Sequence, residues 1–300
     1  MIPIAYSEIY NHPLPPGHRF PMLKYELIPG QLLYEGTIVA QQLFTPEPID
    51  LATARLVHTP EYLNKLIRLG LSASEIRKSG FPLSQQLIDR ELIITGGTCA
   101  CSDFALEYGV SFNVAGGTHH ASSHQAEGFC LLNDQAVAAS RLLYSQKSKA
   151  ILIIDLDVHQ GNGTAEIFSG NPQVFTFSMH AGHNFPLKKE KSSLDIPLPD
   201  GCSDDTYLET LKKALQHISE SFNPDFVFYQ SGVDVLATDK IGRLSLSKNA
   251  CMERDRLVLN YCFSRGLPLV ITMGGGYSEK ISDIVDAHCN TFRVATEIYS

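Results

Sequence analysis

The sequence predicts an α/β fold built around a mostly parallel sheet, and three observations carry that reading. Seven short strand candidates, most of them largely apolar, alternate with longer stretches of helical periodicity, the pattern of βαβ units joined by right-handed crossovers. One run, Ala150-Ile151-Leu152-Ile153-Ile154, is apolar without a break, as suits a strand buried on both faces of a parallel sheet. The segments that carry the candidate histidine, aspartate and glycine motifs each follow an expected strand, where an open parallel sheet places its binding site.

In chain order the expected strands are residues 2–6, 54–57, 110–114, 150–155, 174–178, 226–230 and 267–273. Thr59 followed by Pro60 marks an N-cap and first helical position for a helix running towards Arg68. Further helices are expected over about 83–108, 134–144, 204–222, 246–265 and 279–294. A length of 300 residues, without a linker-like or repetitive segment, fits a single domain over residues 1–300.

Composition narrows the function classes. Hydrophobic residues at 44% and charged residues at 19% describe a folded globular chain. A formal charge of −8 argues against a general nucleic-acid or anionic-membrane binder and mildly favours cationic partners such as basic peptides or polyamines. The cysteines, Cys99, Cys101, Cys130, Cys202, Cys251, Cys262 and Cys289, are odd in number and form no Cys-x-x-Cys pair. Neither a disulfide framework nor a thiolate metal site is suggested, and reduced thiols in a cytoplasmic protein are expected. No apolar stretch reaches the length of a membrane span, and the amino end lacks the pattern of a secretory signal.

The chemistry starts at Asp155-Leu156-Asp157-Val158-His159-Gln160-Gly161-Asn162-Gly163. Alternation in an extended chain projects Asp155, Asp157 and His159 the same way. Singly, each could cap a helix or satisfy a loop. Together on one face after a buried strand, they would repel and desolvate one another without a cation. Four other segments follow strands: Gly116-Gly117-Thr118-His119-His120, Ser178-Met179-His180, Ser231-Gly232-Val233-Asp234 and Gly274-Gly275-Gly276-Tyr277.

These ordered motifs, with His18-Arg19-Phe20-Pro21 near the amino end, resemble the zinc-dependent histone deacetylase family, and most of all its class IV members and their bacterial relatives. The resemblance implies a three-layer α/β/α sandwich of the arginase type with about eight strands. It implies metal ligation by Asp157, His159 and Asp234, leaving a coordination position open. Zinc is the expected ion, although two carboxylates and one imidazole also admit Fe(II). It gives His120 the role of general base and His119 that of an electrostatic partner, with Asp155 and Asn162 serving them respectively. Asn162 departs from relatives that carry Asp there. Tyr277 matches the donor to the developing oxyanion. Gly128, Phe129, Phe185 and Gly275 match the tunnel around an acyl-lysine. A potassium ion is implied at Asp155, Asp157, His159, Ser178 and Met179, and a second near Phe168, Asn171 and Val174.

The implied activity is hydrolysis of an acyl group from lysine in proteins or peptides. Deacylation of acylated polyamines and a non-catalytic acyl-lysine-binding module are the alternatives. A preference for longer acyl chains also stays open.

Overall fold

Eight strands form one sheet in the computed structural model, which describes residues 1–299, and every paired neighbour runs parallel. The strands are β1 (Ile4–Ala5), β2 (Leu43–Phe44), β3 (Val110–Asn113), β4 (Ile151–Asp155), β5 (Val174–Ala181), β6 (Leu194–Leu198), β7 (Phe226–Gln230) and β8 (Leu269–Thr272), in the spatial order β2-β1-β3-β8-β7-β4-β5-β6. The helices are α1 (Lys24–Tyr34), α2 (Leu51–Ala54), α3 (Pro60–Ile67), α4 (Ala73–Ser79), α5 (Gln85–Tyr108), α6 (Asp134–Tyr144), α7 (Asn162–Ile167), α8 (Asp204–Ser221), α9 (Lys248–Phe263) and α10 (Ile281–Tyr299).

Alternation along the central strands produces the three layers. Ile151 and Ile153 of β4, with Phe226 and Phe228 of β7, pack with Cys101 of α5 and Val137 of α6. Leu152, Ile154, Val227 and Tyr229 point the other way, into a core with Leu211 of α8, Val258 of α9 and Phe292 of α10. Both faces are apolar because both are covered by helices. The Phe292 ring stacks on Phe112 of β3 at 4.1 Å.

The strand expected at 54–57 does not form. Asp50 accepts the Thr53 N–H at 2.8 Å and starts α2, whose last residue is Ala54. Residues 55–57 form the turn that follows, with Arg55 and Leu56 exposed, and so short a segment does not by itself distinguish a strand from other structure. Five further elements, α1, α4, α7, β2 and β6, were not marked by periodicity. Pro29 interrupts the pattern of α1, and β2 is only two residues long. β6 is a half-exposed edge strand containing Asp195 and Pro197, and an edge tolerates proline's missing donor. The remaining expected elements form, α6 and β7 at the expected bounds and the others with shifts at their ends. α10 runs on to Tyr299, β5 to Ala181, and β1 is only Ile4–Ala5.

Candidate active site

The site lies beyond the carboxyl ends of β3, β4, β7 and β8 in the middle of the sheet. β4 stops at Asp155, so strand alternation does not by itself bring the three ionisable side chains together. Two successive side-chain turns do. The Asp157 N–H donates to Asp155 Oδ1 at 3.1 Å, and the His159 N–H donates to Asp157 Oδ1 at 3.0 Å. Such i-to-i+2 bonds are a favoured local structure for aspartate.

Asp157, His159 and Asp234 are buried, with one ligand atom from each lying within 4.8 Å of the others. His159 Nδ1 is 3.0 Å from Asp157 Oδ1 and 3.2 Å from Asp234 Oδ2. Asp157 Oδ2 accepts the Gly275 N–H at 2.8 Å, and Asp234 Oδ1 accepts the Val158 N–H at 2.9 Å. Asp234 Oδ2, despite its proximity to His159, lies outside hydrogen-bonding geometry and is an orphaned buried oxygen. Burial and the neighbouring Asp157 push the Asp234 carboxyl up to about 7. Burial would lower the His159 pKa, but Asp157 and Asp234 outweigh it and push it up to about 10. Without a cation the protein must keep protons in this cluster. The donor set fits a divalent ion that replaces them.

The paired histidines sit beside it, ring centroids 4.0 Å apart. His119 Nδ1 is 2.7 Å from Asp155 Oδ2. Burial alone would lower the His119 pKa, whereas Asp155 and Asp157 raise it on balance. His120 Nδ1 is 2.6 Å from Asn162 Oδ1. The orientation of that amide is fixed because Asn162 Nδ2 donates to Glu127 Oε2 at 3.0 Å. The amide oxygen only accepts, so His120 carries its proton on Nδ1 and leaves Nε2 with a lone pair. Burial, reinforced by His119 and His159, holds the His120 pKa well below the usual imidazole range.

Tyr277 reaches the same cavity from the loop after β8, its N–H held by Asp239 Oδ2 at 2.6 Å. Burial, then Asp234 and Asp157, raise its phenol pKa well above the ordinary value, so it stays a donor. Two glycines allow the close approach. A Cβ at Gly275 would meet Asp234 Oδ2 at 2.1 Å, and one at Gly128, where φ is +56°, would meet the His120 ring at 2.6 Å. Phe129 and Phe185 both line the outer cavity, and the Phe185 ring lies edge-on to His120 with centroids 5.0 Å apart.

Ser178 and Met179, expected beneath the metal, fall on β5, where Ser178 is the register partner of Asp155. The Ser178 hydroxyl lies 3.0 Å from His180 Nδ1. Phe168, Asn171 and Val174 form the turn from α7 into β5, with Asn171 N–H bonded to Phe168 O at 3.0 Å. Sequence reasoning missed Glu127, which orients Asn162, and Lys24, whose buried ammonium donates to Gly274 O at 2.8 Å. It also missed Asp134, which accepts Thr118 N–H at 2.8 Å and so shapes the loop carrying His119. Glu127 adjoins Gly128, a position already singled out; Lys24 left no comparable signal.

The comparisons with known proteins agree on one family. The histone deacetylase domain profile matches residues 18–292. An uncharacterized protein of Picosynechococcus sp. is 42% identical over 297 residues, covering 99% of each chain. Histone deacetylase clr6 of Schizosaccharomyces pombe is 32% identical, covering 89% of this chain and 69% of its own length. The crystal structure of a histone deacetylase homolog complexed with SAHA superposes with a TM-score of 0.86 at 26% identity, covering 99% of this chain and 84% of that one. A homolog from Aquifex aeolicus gives 0.84 at 25% identity, covering 98% and 84%. The chain belongs to the histone deacetylase family, and family and fold support a deacylating amide hydrolase. Among the described residues, no helix is long and apolar enough to cross a membrane.

Proposed function

We propose that residues 1–300 act as one catalytic domain, a metal-dependent hydrolase that removes acyl groups from the ε-nitrogen of lysine. The observation that carries this reading is the gathering of Asp157, His159, His120 and Tyr277 around one cavity, with Asp234 completing the donor cluster. Asp157, His159 and Asp234 would hold the ion: zinc on the family resemblance, with Fe(II) compatible with the same donors. When bound, that ion lowers the pKa of water and polarises an amide carbonyl.

The chain's own groups supply the rest. His120, neutral and bare at Nε2, takes a proton and returns it to the leaving amine. His119, tied to Asp155, orients water from the neighbouring position. Tyr277 donates its phenolic hydrogen to the carbonyl oxygen as negative charge develops there. Phe129 and Phe185 flank the lysine methylenes by apolar contact, while Gly128 and Gly275 leave room for the chain and its amide tip. Asp155, Asp157, His159, Ser178 and the Met179 carbonyl would hold a potassium ion that helps neutralise the buried carboxylates.

The test is turnover on acetyl-lysine peptides, longer acyl-lysine peptides and acetylated polyamines, each with zinc and with Fe(II). Absence of turnover on all of them at full metal occupancy overturns the reading. Tyr277→Phe should lower turnover by about 10²–10³ while the protein keeps its metal. Full activity in that variant removes Tyr277 from the mechanism.

A further inference from the structure

The mouth of the site carries a charge opposite to that of the whole chain. A cavity of about 520 Å³ opens from His120, His159 and Tyr277 to solvent, and Arg19, Arg77, Lys78 and Arg243 lie along its rim. All four are exposed. Among the described residues, Glu127 is the one carboxylate in the cavity lining, and it is engaged with Asn162.

The rim cations differ in how they are held. Arg243 shares Asp200 with His183, at 3.1 Å and 3.2 Å, so its charge is partly answered. Arg19, Arg77 and Lys78 make no ion pair among the described residues. The Arg19 guanidinium sits over the Phe129 ring, 5.1 Å from its centroid. Lys78 donates to the neutral Gln125 amide at 3.2 Å, and its carbonyl accepts the Gly128 N–H at 3.1 Å. Arg77 and Lys78 sit in α4, whose end is stitched to the Phe129 wall by Phe129 N–H bonding to Ser79 O at 2.7 Å. The cations are therefore attached to the tunnel wall, while the buried Phe129 and Tyr277 and the more exposed Phe185 that line the same cavity are uncharged.

Resting on the deacylase reading above, we propose that the preferred substrate is an acylated lysine flanked by aspartate or glutamate. The neutral acyl tip enters the apolar tunnel while flanking carboxylates meet Arg19, Arg77 and Lys78. An acylated polyamine, or a segment rich in lysine and arginine, places like charge against that rim. The net charge of −8 points towards cationic partners; the local field at the mouth points the other way. Because the rim is solvated, the preference is modest and salt-sensitive, about tenfold between acidic and basic flanks at low ionic strength.

The experiment measures fluorescence anisotropy of acetyl-lysine peptides with acidic, neutral or basic flanks on the metal-loaded protein, with an acetylated polyamine as competitor. Turnover is followed in parallel. Acidic flanks should bind about tenfold tighter than basic ones at low salt, and the gap should close as salt rises. The double variant Arg19→Glu, Arg77→Glu should invert the order, with a thermal melt confirming that it is folded. Equal or tighter binding of basic peptides or the polyamine overturns the proposal. So does binding of none of the peptides, or an acidic preference that survives the double reversal. An acidic preference in binding without any turnover supports the surface assignment and counts against the deacylase reading alone.

Discussion

Two groups of buried charge lie close together in this protein, and only one is electrically complete. Arg254 and Asp255 on α9 are fully buried and satisfy each other, with Arg254 Nη2 2.7 Å from Asp255 Oδ1. Arg254 also donates to the carbonyls of Leu156 at 3.2 Å and Gly232 at 2.5 Å, while Asp255 accepts from Tyr229 at 2.5 Å and Thr291 at 2.8 Å. The Asp157–His159–Asp234 cluster is buried just beyond those same loops, yet it has two carboxylates, one imidazole and an orphaned Asp234 oxygen. A buried charge with its partners present holds a fold together. A buried excess of one sign describes a place for a cation.

The sharpest test of that contrast is Asp234→Asn. The amide keeps an acceptor for Val158 N–H and removes one of two like charges. Metal content should fall to background, with turnover down on the order of 10³ or more. The metal-free melting temperature should stay level or rise. A large fall in that temperature would mean the cluster is a structural ion pair after all.

Arg254→Met should behave in the opposite way. It strands the Asp255 carboxylate, so stability should drop by about 3–5 kcal/mol in chemical denaturation, with or without metal. Wild-type stability in that variant breaks the comparison from the other side.

Chelation gives a smaller effect on the same axis. Metal-loaded protein should exceed metal-free protein by about 2.7 kcal/mol when free ion is a hundredfold above its dissociation constant. Arg254→Met should retain that increment and Asp234→Asn should lose it. An identical melting temperature with and without metal would remove the cation from the argument.

The smallest effect concerns the base. Asn162→Asp places negative charge at His120 Nδ1 and raises a pKa that burial, His119 and His159 hold low. His120 must be neutral to accept a proton. The acidic limb of the pH–rate profile should therefore move to higher pH, and an unmoved limb denies Asn162 its influence on His120.

Much of this could be read along the chain. α6 at Asp134–Tyr144 and β7 at Phe226–Gln230 fall within the bounds their periodicity predicts, because each is bordered by strong local signals. Four of the five motif segments lie beyond strand ends on one side of the sheet, since a parallel sheet sends every strand's carboxyl end the same way, whereas Ser178-Met179-His180 stays inside β5. Other features were illegible for physical reasons. Residues 54–57 carry Leu56 and Val57 beside Arg55, too short a pattern to fix an element; only Ala54 joins the helix that Asp50 caps, and 55–57 form the turn after it. Nothing near Lys24 announces that it will bond to Gly274, 250 positions away. Nor does the total charge reveal that Arg19, Arg77 and Lys78 will ring one opening.

The sequence by itself determined the alternation of strand and helix, the parallel sheet and the residues available to hold an ion. Those rest on side-chain periodicity and donor chemistry, which are local. Only the tertiary structure decided which carboxylates would be left without partners, which nitrogen of His120 would be free, and what sign of charge a substrate meets at the entrance. Desolvation, hydrogen-bond direction and local field depend on groups far apart in the chain, and folding alone brings those groups together.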